Sequence, residues 1–116
     1  MDTETGMPGQ FEYYKVKAGD FRFRLVTANG DVILCSEQYK SKLGCTKGIA
    51  SVRVNASNPD NFVMESTQNG SHRFNLLSLN GRVIGVSKNF ESTSAYNNGI
   101  TSVARIARGA DVVDRT

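Results

Sequence analysis

The chain has no tryptophan, one histidine, two cysteines and two prolines among its 116 residues. Each scarcity excludes something. One histidine and two cysteines leave no metal-ligand spacing. Two cysteines make no disulfide framework. Val86 and Tyr96 stand 51 residues after Cys35 and Cys45, so a bridge in each half is excluded as well. Two buried free thiols in a reducing cytoplasm are the expectation. The acidic residues Glu12, Asp20, Asp31, Glu37, Glu65 and Glu91 are scattered, without the pairing of an acid–base dyad. His72 stands alone at a strand start, a structural position. No glycine-rich loop precedes a Lys-Ser/Thr pair to cradle phosphate. No run approaches the ~20 apolar residues of a membrane span. The opening Met1-Asp2-Thr3-Glu4-Thr5-Gly6 lacks a basic start and an apolar core. No secretory leader is therefore expected, and a cytoplasmic location is. The expectation is a protein without catalytic residues, cofactor or metal, and not an enzyme.

What is present is a repeat. Shifted by 51 residues, the chain overlays itself without a gap, 11–56 on 62–107, with 16 identities in 46 positions. Phe11, Gly19, Arg22, Phe23, Leu25, Asn29 and Gly30 return as Phe62, Gly70, Arg73, Phe74, Leu76, Asn80 and Gly81. Farther on, Ser41, Gly48, Ile49, Ser51 and Val52 return as Ser92, Gly99, Ile100, Ser102 and Val103. A unit this short buries only about 60% of its surface alone. The two copies are therefore expected to share one core.

Residues 1–10 are polar and read as a disordered lead-in. A strand follows from Phe11 to Lys17, with a turn at Gly19-Asp20. Phe21-Arg22-Phe23-Arg24-Leu25 alternates strictly, with Phe21, Phe23 and Leu25 on one face and Arg22 and Arg24 on the other. Asn29-Gly30 predicts a two-residue hairpin turn with positive φ at both positions. Val32–Ser36 is the return strand. The period then changes. Cys45, Ile49, Val52 and Ala56, and equally Tyr96, Ile100, Val103 and Ala107, are spaced as one helix face. Ser41 and Ser92 are placed as N-caps. Gly48 and Gly99 inside these helices imply either a close helix–sheet approach or a break. The second copy repeats the order with strands at 62–67, 72–79 and 82–87 and a helix over about 92–106. Ser57-Asn58-Pro59-Asp60 is the linker. The tail, 111–115, matches the start of a further unit and predicts a closing strand.

The segments Phe23-Arg24-Leu25, Asn29-Gly30, Ile33-Leu34-Cys35-Ser36-Glu37, Tyr39, Ser41-Lys42 and Gly48-Ile49-Ala50-Ser51-Val52-Arg53-Val54-Asn55-Ala56 together resemble the YegP family of small bacterial proteins. The second copy keeps Asn80-Gly81 and Gly99-Ile100-Thr101-Ser102-Val103, and the resemblance spans residues 11–116. It implies an α+β fold in which two tandem β-β-β-α-β repeats form one antiparallel sheet. Two helices lie on one face, and closing strands are exchanged between repeats. Single-repeat relatives would build the same object as a dimer, so this chain is expected to be a monomer. No catalytic motif carries over onto these residues.

Binding is the function class left. The net charge is +3, of which repeat one (11–56) carries +4 and repeat two (62–107) +2. A mild basic excess permits a polyanion. On the sheet face opposite the helices, Arg22, Arg24 and Arg73, joined by Lys15, Lys17 and one of Tyr13 or Tyr14, would suit single-stranded nucleic acid. The loop Gln38-Tyr39-Lys40-Ser41-Lys42 offers a second candidate, a small anion at a helix N-terminus. Its counterpart Asn89-Phe90-Glu91-Ser92-Thr93 has lost the lysines. The leading expectation is a non-enzymatic binding or interaction module, with nucleic acid or protein as partner and no membrane. Its site belongs where the two copies disagree.

Overall fold

Four glycines at one recurring turn set the hairpins. The structure is a computed structural model that describes residues 9–116. Within it Gly19, Gly30, Gly70 and Gly81 have φ of +85°, +92°, +85° and +83°. At the second of these turns the Gly30 N–H donates to the Thr27 carbonyl at 2.9 Å, and the Thr27 N–H to the Asp31 carbonyl at 2.9 Å. The same pair of bonds recurs over 16–20, 67–71 and 78–82. This is a three-residue loop with one left-handed position, which glycine fills without a steric penalty. The expected two-residue turn is thereby corrected: no described residue other than glycine has a positive φ, Asn29 and Asn80 included.

The elements in chain order are β1 (Gly9–Lys15), β2 (Phe21–Thr27), β3 (Val32–Cys35), α1 (Lys42–Asn55), a 3-10 turn (Pro59–Asn61), β4 (Phe62–Ser66), β5 (His72–Leu77), β6 (Val83–Ser87), α2 (Thr93–Gly109) and β7 (Asp111–Asp114). The expected disordered lead-in is corrected at its end. Gly9 and Gln10 belong to β1, paired with Thr27 and Val26. Gly9 is needed there because a Cβ would meet the Val26 carbonyl oxygen at 2.2 Å. The rest of that expectation, residues 1–8, lies outside the described residues. Ser41 and Ser92 cap the helices as expected, accepting from the N–H of Gly44 and of Ala95, each at 3.0 Å.

All seven strands form one sheet, in the order β4-β5-β6-β3-β2-β1-β7. The two repeats meet at its centre, where β3 pairs antiparallel with β6 through Leu34–Ser87 and Cys35–Val86. Both helices cover one face. Beneath them Phe11, Phe23, Leu25, Ile49 and Val52 of one repeat and Phe62, Phe74, Leu76 and Val103 of the other form a single core cluster. A bulge recurs as well. Register shifts between Leu25 and Val26, and again between Leu76 and Leu77. Each shift leaves one extra residue, Ile33 or Ile84, opposite the bend, and both are buried.

The sheet is not wholly antiparallel. β7 crosses to repeat one and pairs parallel with β1, Gln10–Asp111 through Tyr13–Asp114. An approach from the end of α2 sends the chain along β1 in the same direction. The exchange is realised once, because β4 pairs with β5 of its own repeat. Four residues of repeat one hold β7 and the residues that flank it. Arg53 donates to the carbonyls of Ala107 and Ala110 at 3.1 and 2.5 Å, with its guanidinium over the Phe11 ring at 5.2 Å. Glu12 accepts from Arg115 at 3.2 Å. Lys42 lies 3.6 Å from Asp114, and Tyr13 stands opposite Asp114 in the strand register.

Two predictions follow from this join. A chain ending at Asn58 keeps β1–β3 and α1 and loses both β6 and β7. It should unfold or dimerise, and sedimentation with circular dichroism will read this; a folded monomer at low concentration would contradict the shared sheet. The second concerns acid. Burial pulls the Glu12 carboxyl up, but hydrogen bonds from Gln10, Arg24 and Arg115 outweigh it and hold it below its ordinary 4.5. Hydrogen bonds from Thr116, then from Tyr13, with the Lys42 charge, hold Asp114 at about 2. Both groups take up protons more readily when released. Their contribution is complete above about pH 4.5 and is lost as pH falls toward 2. Hydrogen-exchange protection of the β7 amides should fall across that window before that of β5.

Candidate functional site

Alternation along the strands decides which side chains reach the open sheet face. Phe23 and Leu25 are fully buried under the helices, so Arg22 and Arg24 stand on the opposite face as expected, with Arg73 in repeat two. They do not form a field of free charge. Arg24 pairs with Glu12 at 2.9 Å and lies over the Tyr14 ring at 4.9 Å. Arg73 pairs with Glu65 at 2.8 Å. These pairs sit directly across neighbouring strands, Glu12 opposite Arg24 and Glu65 opposite Arg73. Of the three arginines, only Arg22 has no described carboxylate within ion-pair distance.

Two lysines lie elsewhere than expected. Lys15 has the parity of Phe11 and Tyr13 and therefore belongs to the helix side. Its Nζ rests 5.9 Å from the centre of the Phe21 ring. Lys17 is in the exposed turn after β1. The open-face aromatic is Tyr14, not Tyr13. Cys35, expected to be buried, is exposed, because its strand position faces away from the helices beside Arg24 and Val86; Cys45 is buried, and both are free thiols. Burial pushes the Cys45 thiol up to about 11.

The loop before α1 has a structural task. Tyr39 forms a two-way backbone bridge with Phe21, at 2.8 and 2.7 Å, and its ring stacks on Phe23 at 6.1 Å. Phe90 does the same against His72 and Phe74. The repeated helix glycines are thereby explained. A Cβ on Gly48 would lie 2.5 Å from the Tyr39 hydroxyl and 2.9 Å from Phe23, and a Cβ on Gly99 would strike the Phe90 ring. Both helices run unbroken, so close approach is the reason. The expected anion position is partly spent: Ser41 caps the first turn, and Lys42 faces Asp114, leaving Lys40 exposed.

A cleft of about 580 Å³ opens between α1 and the 78–82 hairpin of repeat two. Gly44, Lys47, Gly48, Ser51 and Asn55 line it from the helix, Ser78, Leu79, Asn80, Arg82 and Ile84 from the hairpin, with Tyr39 between. The cleft holds hydroxyls, amides and two cations, and no carboxylate or imidazole lines it. Ser51 Oγ accepts from the Asn55 amide at 3.1 Å and has no base beside it. Arg82 reaches across the repeats to Glu37 at 2.8 Å. Burial, then the Glu37 charge, raises the Tyr39 hydroxyl above its ordinary value. Such a cleft can donate hydrogen bonds and neutralise negative charge.

Next to it runs a feature that residue-by-residue reading of the sequence missed. The outermost row of α1 is Leu43, Lys47, Ala50 and Val54, spaced as one helix stripe. Leu43 is 64% and Val54 67% exposed, and Leu79 at the hairpin tip is 91% exposed. The same row on α2 is Ser94, Asn98, Thr101 and Arg105, also exposed. The signal was available in the 51-residue alignment, once the buried stripe had been subtracted.

The chain matches the model of a family described as a domain of unknown function (DUF1508) twice, over residues 17–62 and 68–114. It is 44% identical over 110 residues to the UPF0339 protein in the ptx operon 5′ region of Stutzerimonas stutzeri, covering 93% of this chain and 97% of that one. To the UPF0339 protein YegP of Escherichia coli strain K12 it is 38% identical over 110 residues, covering 95% and 100%. The solution NMR structure of E. coli yegP, a protein of unknown function, matches with a TM-score of 0.89 at 38% identity over 95% of each chain. That of a UPF0339 protein of Shewanella oneidensis matches with a TM-score of 0.87 at 37% identity over 93% and 92%. None of these names states an activity. Among the described residues no helix is long and apolar enough to cross a membrane, and no cluster of three His, Cys, Asp or Glu could hold a metal ion.

The glycine account is directly testable. Gly48→Ala gains about 1 kcal/mol of helix propensity. Overpacking against Tyr39 and Phe23 costs typically 1–3 kcal/mol and should dominate. Urea denaturation should therefore show a net loss of stability. Gly48→Ala combined with Tyr39→Ala should be less destabilised than the sum of the two single changes.

Proposed function

The chain belongs to the DUF1508 family, and we propose that it is a non-enzymatic interaction module whose partner docks on the outer face of α1 and the adjoining cleft. The observation that carries this is the disagreement between two otherwise doubled helices. Leu43, Ala50 and Val54 stand exposed where α2 carries Ser94, Thr101 and Arg105. A surface helix that is apolar on its solvent side as well as its core side leaves water-facing hydrophobic area that folding does not require. The charge points to the partner's chemistry. Residues 42–55 hold no acidic residue, and with Lys42 facing Asp114 and Arg53 bound to the end of α2, Lys47 is the helix cation left for a partner. Lys47 stands in the apolar row itself, and Lys40 is exposed at its start. An acidic amphipathic protein segment complements such a surface in both respects.

This reading is of a monomer in a reducing, cytoplasmic setting, which suits two free cysteines. The ion pairs of the open sheet face favour a protein partner over nucleic acid, since Arg24 and Arg73 already have carboxylates. The test is a titration of isotope-labelled protein with a synthetic helix bearing Glu on one face and Leu on the other. Amide shifts should centre on Leu43, Lys47, Ala50 and Val54 and shrink with added salt. The double variant Leu43→Lys, Val54→Lys should abolish them while changing stability by about 0.5 kcal/mol or less, as exposed substitutions do. Shifts absent from α1 would overturn the proposal. So would a single-stranded RNA whose binding depends on Arg22 and weakens with salt.

A further inference from the structure

The two outer strands of repeat one and repeat two, β1 and β4, occupy equivalent positions in the repeat, but only one is covered. β1 carries β7 on its outer edge. Among the described residues nothing pairs with the outer edge of β4, the last strand of the sheet. The 51-residue equivalence maps the covered segment Gln10–Tyr13 onto Asn61–Met64. The Tyr13 carbonyl accepts from the Arg115 N–H at 2.9 Å, so Tyr13 and Phe11 turn their backbone groups outward. Their counterparts Met64 and Phe62 do likewise at the open edge, where the Phe62 N–H donates to the Pro59 carbonyl and the Phe62 carbonyl and both Met64 groups are left for a partner. Val63 and Met64 are 45% and 47% exposed there. An exposed edge with two apolar residues and no bulge, lysine or proline within it is one that natural sheets usually protect.

We infer that the β4 edge is a strand-addition site for an extended segment of a partner protein, running parallel to β4 in the register that β7 takes on β1. The internal copy supplies both orientation and register. The substitutions supply the chemistry. The side chains that hold β7 and its flanks by charge or polarity have all changed in repeat two: Glu12 to Val63, Tyr13 to Met64, Lys42 to Thr93, Arg53 to Ala104. The edge that would grip Asp114 and Arg115 through side chains is replaced by an apolar one. The incoming strand is therefore held by backbone bonds to the Phe62 carbonyl and to Met64 and by uncharged or apolar side chains beside Val63 and Met64. Acidic β7 itself is a poor fit there, which keeps copies of this chain from exchanging tails.

The probe is a synthetic peptide of residues 109–116 carrying Asp111→Thr and Asp114→Thr, titrated into the full chain. Hydrogen exchange at the Met64 amide should slow about tenfold or more, as pairing removes it from water. The unsubstituted peptide should bind more weakly. A spin label on the peptide N-terminus should broaden signals near Asn61 and spare Ser66. Met64→Pro removes an outward N–H from an edge strand, where proline is tolerated, and should abolish binding with the fold intact by circular dichroism. Met64→Lys serves the same purpose if the proline variant does not fold. Four results would overturn the inference: no slowing at Met64, broadening at the Ser66 end instead, shifts confined to the outer face of α1, or concentration-dependent dimerisation that Met64→Lys abolishes, which would make a second copy the occupant.

Discussion

Leu34 lays its side chain over Gly85 where β3 meets β6, the seam on which the rest of the molecule depends. The two residues are counterparts under the 51-residue shift, and a Cβ on Gly85 would lie 2.8 Å from Leu34. Two leucines at this seam would clash, and two glycines would leave a hole. A symmetric pair of identical units could not place a large residue against a small one at the same position. A fused chain can. Among the described residues only two ladder pairs, Leu34–Ser87 and Cys35–Val86, bridge the seam, so its packing must be good for the two half-sheets to act as one. Once they do, Phe11 and Phe23 on one side and Phe62 and Phe74 on the other belong to a single core, and neither short unit has to fold on its own.

Fusion also explains what the differences between repeats are for. One set serves the closing strand. Glu12, Tyr13, Lys42 and Arg53 all grip β7 or the end of α2, and their counterparts Val63, Met64, Thr93 and Ala104 have no such strand to hold. Several of the basic residues that looked like a binding surface are therefore structural: Arg24 is held by Glu12, Lys42 faces Asp114, and Arg53 takes the carbonyls of Ala107 and Ala110. A second set has no such role. Leu43, Lys47 and Val54 touch neither β7 nor the seam, and it is these that mark the outer face of α1.

The doubled residues made most of the architecture legible, because they answer to local rules. Glycines in tight turns, alternation in β2 and β5, serine caps and the 4-3-4 spacing of the helices all act within a few residues. Ser36 and Ser87 are doubled as well, but their role is not local: each accepts from the N–H of a residue 13 positions back, Phe23 or Phe74, at 2.9 Å. What sequence did not reveal depends on register between distant segments. The parallel seat of β7, the glutamates opposite Arg24 and Arg73, and the bulges at Ile33 and Ile84 are settled only when strands align. Lys15 was misplaced for a related reason. Its charge suggested the wet face, while strand parity ties it to Phe11 and Tyr13, and the ring of Phe21 lets its stem lie on the helix side near the strand end.

Charge alone was thus a poor guide to a site, and charge weighed against the internal copy is a better one. A basic residue that pairs with a carboxylate across the sheet contributes little to an outside partner until that pair is broken, and exposed pairs are themselves worth only about 0–1 kcal/mol to the fold. An exposed leucine has no such alternative partner. Most of its surface is left exposed, and nothing in the hairpins, the seam or the tail requires Leu43, Val54 or Leu79 to stand where they do. The repeat supplies the control that a single-copy fold lacks: α2 shows that the same backbone accepts Ser94, Thr101 and Arg105 in that row. The apolar row on α1 is therefore not imposed by the fold, and its origin has to be sought in what the fold meets.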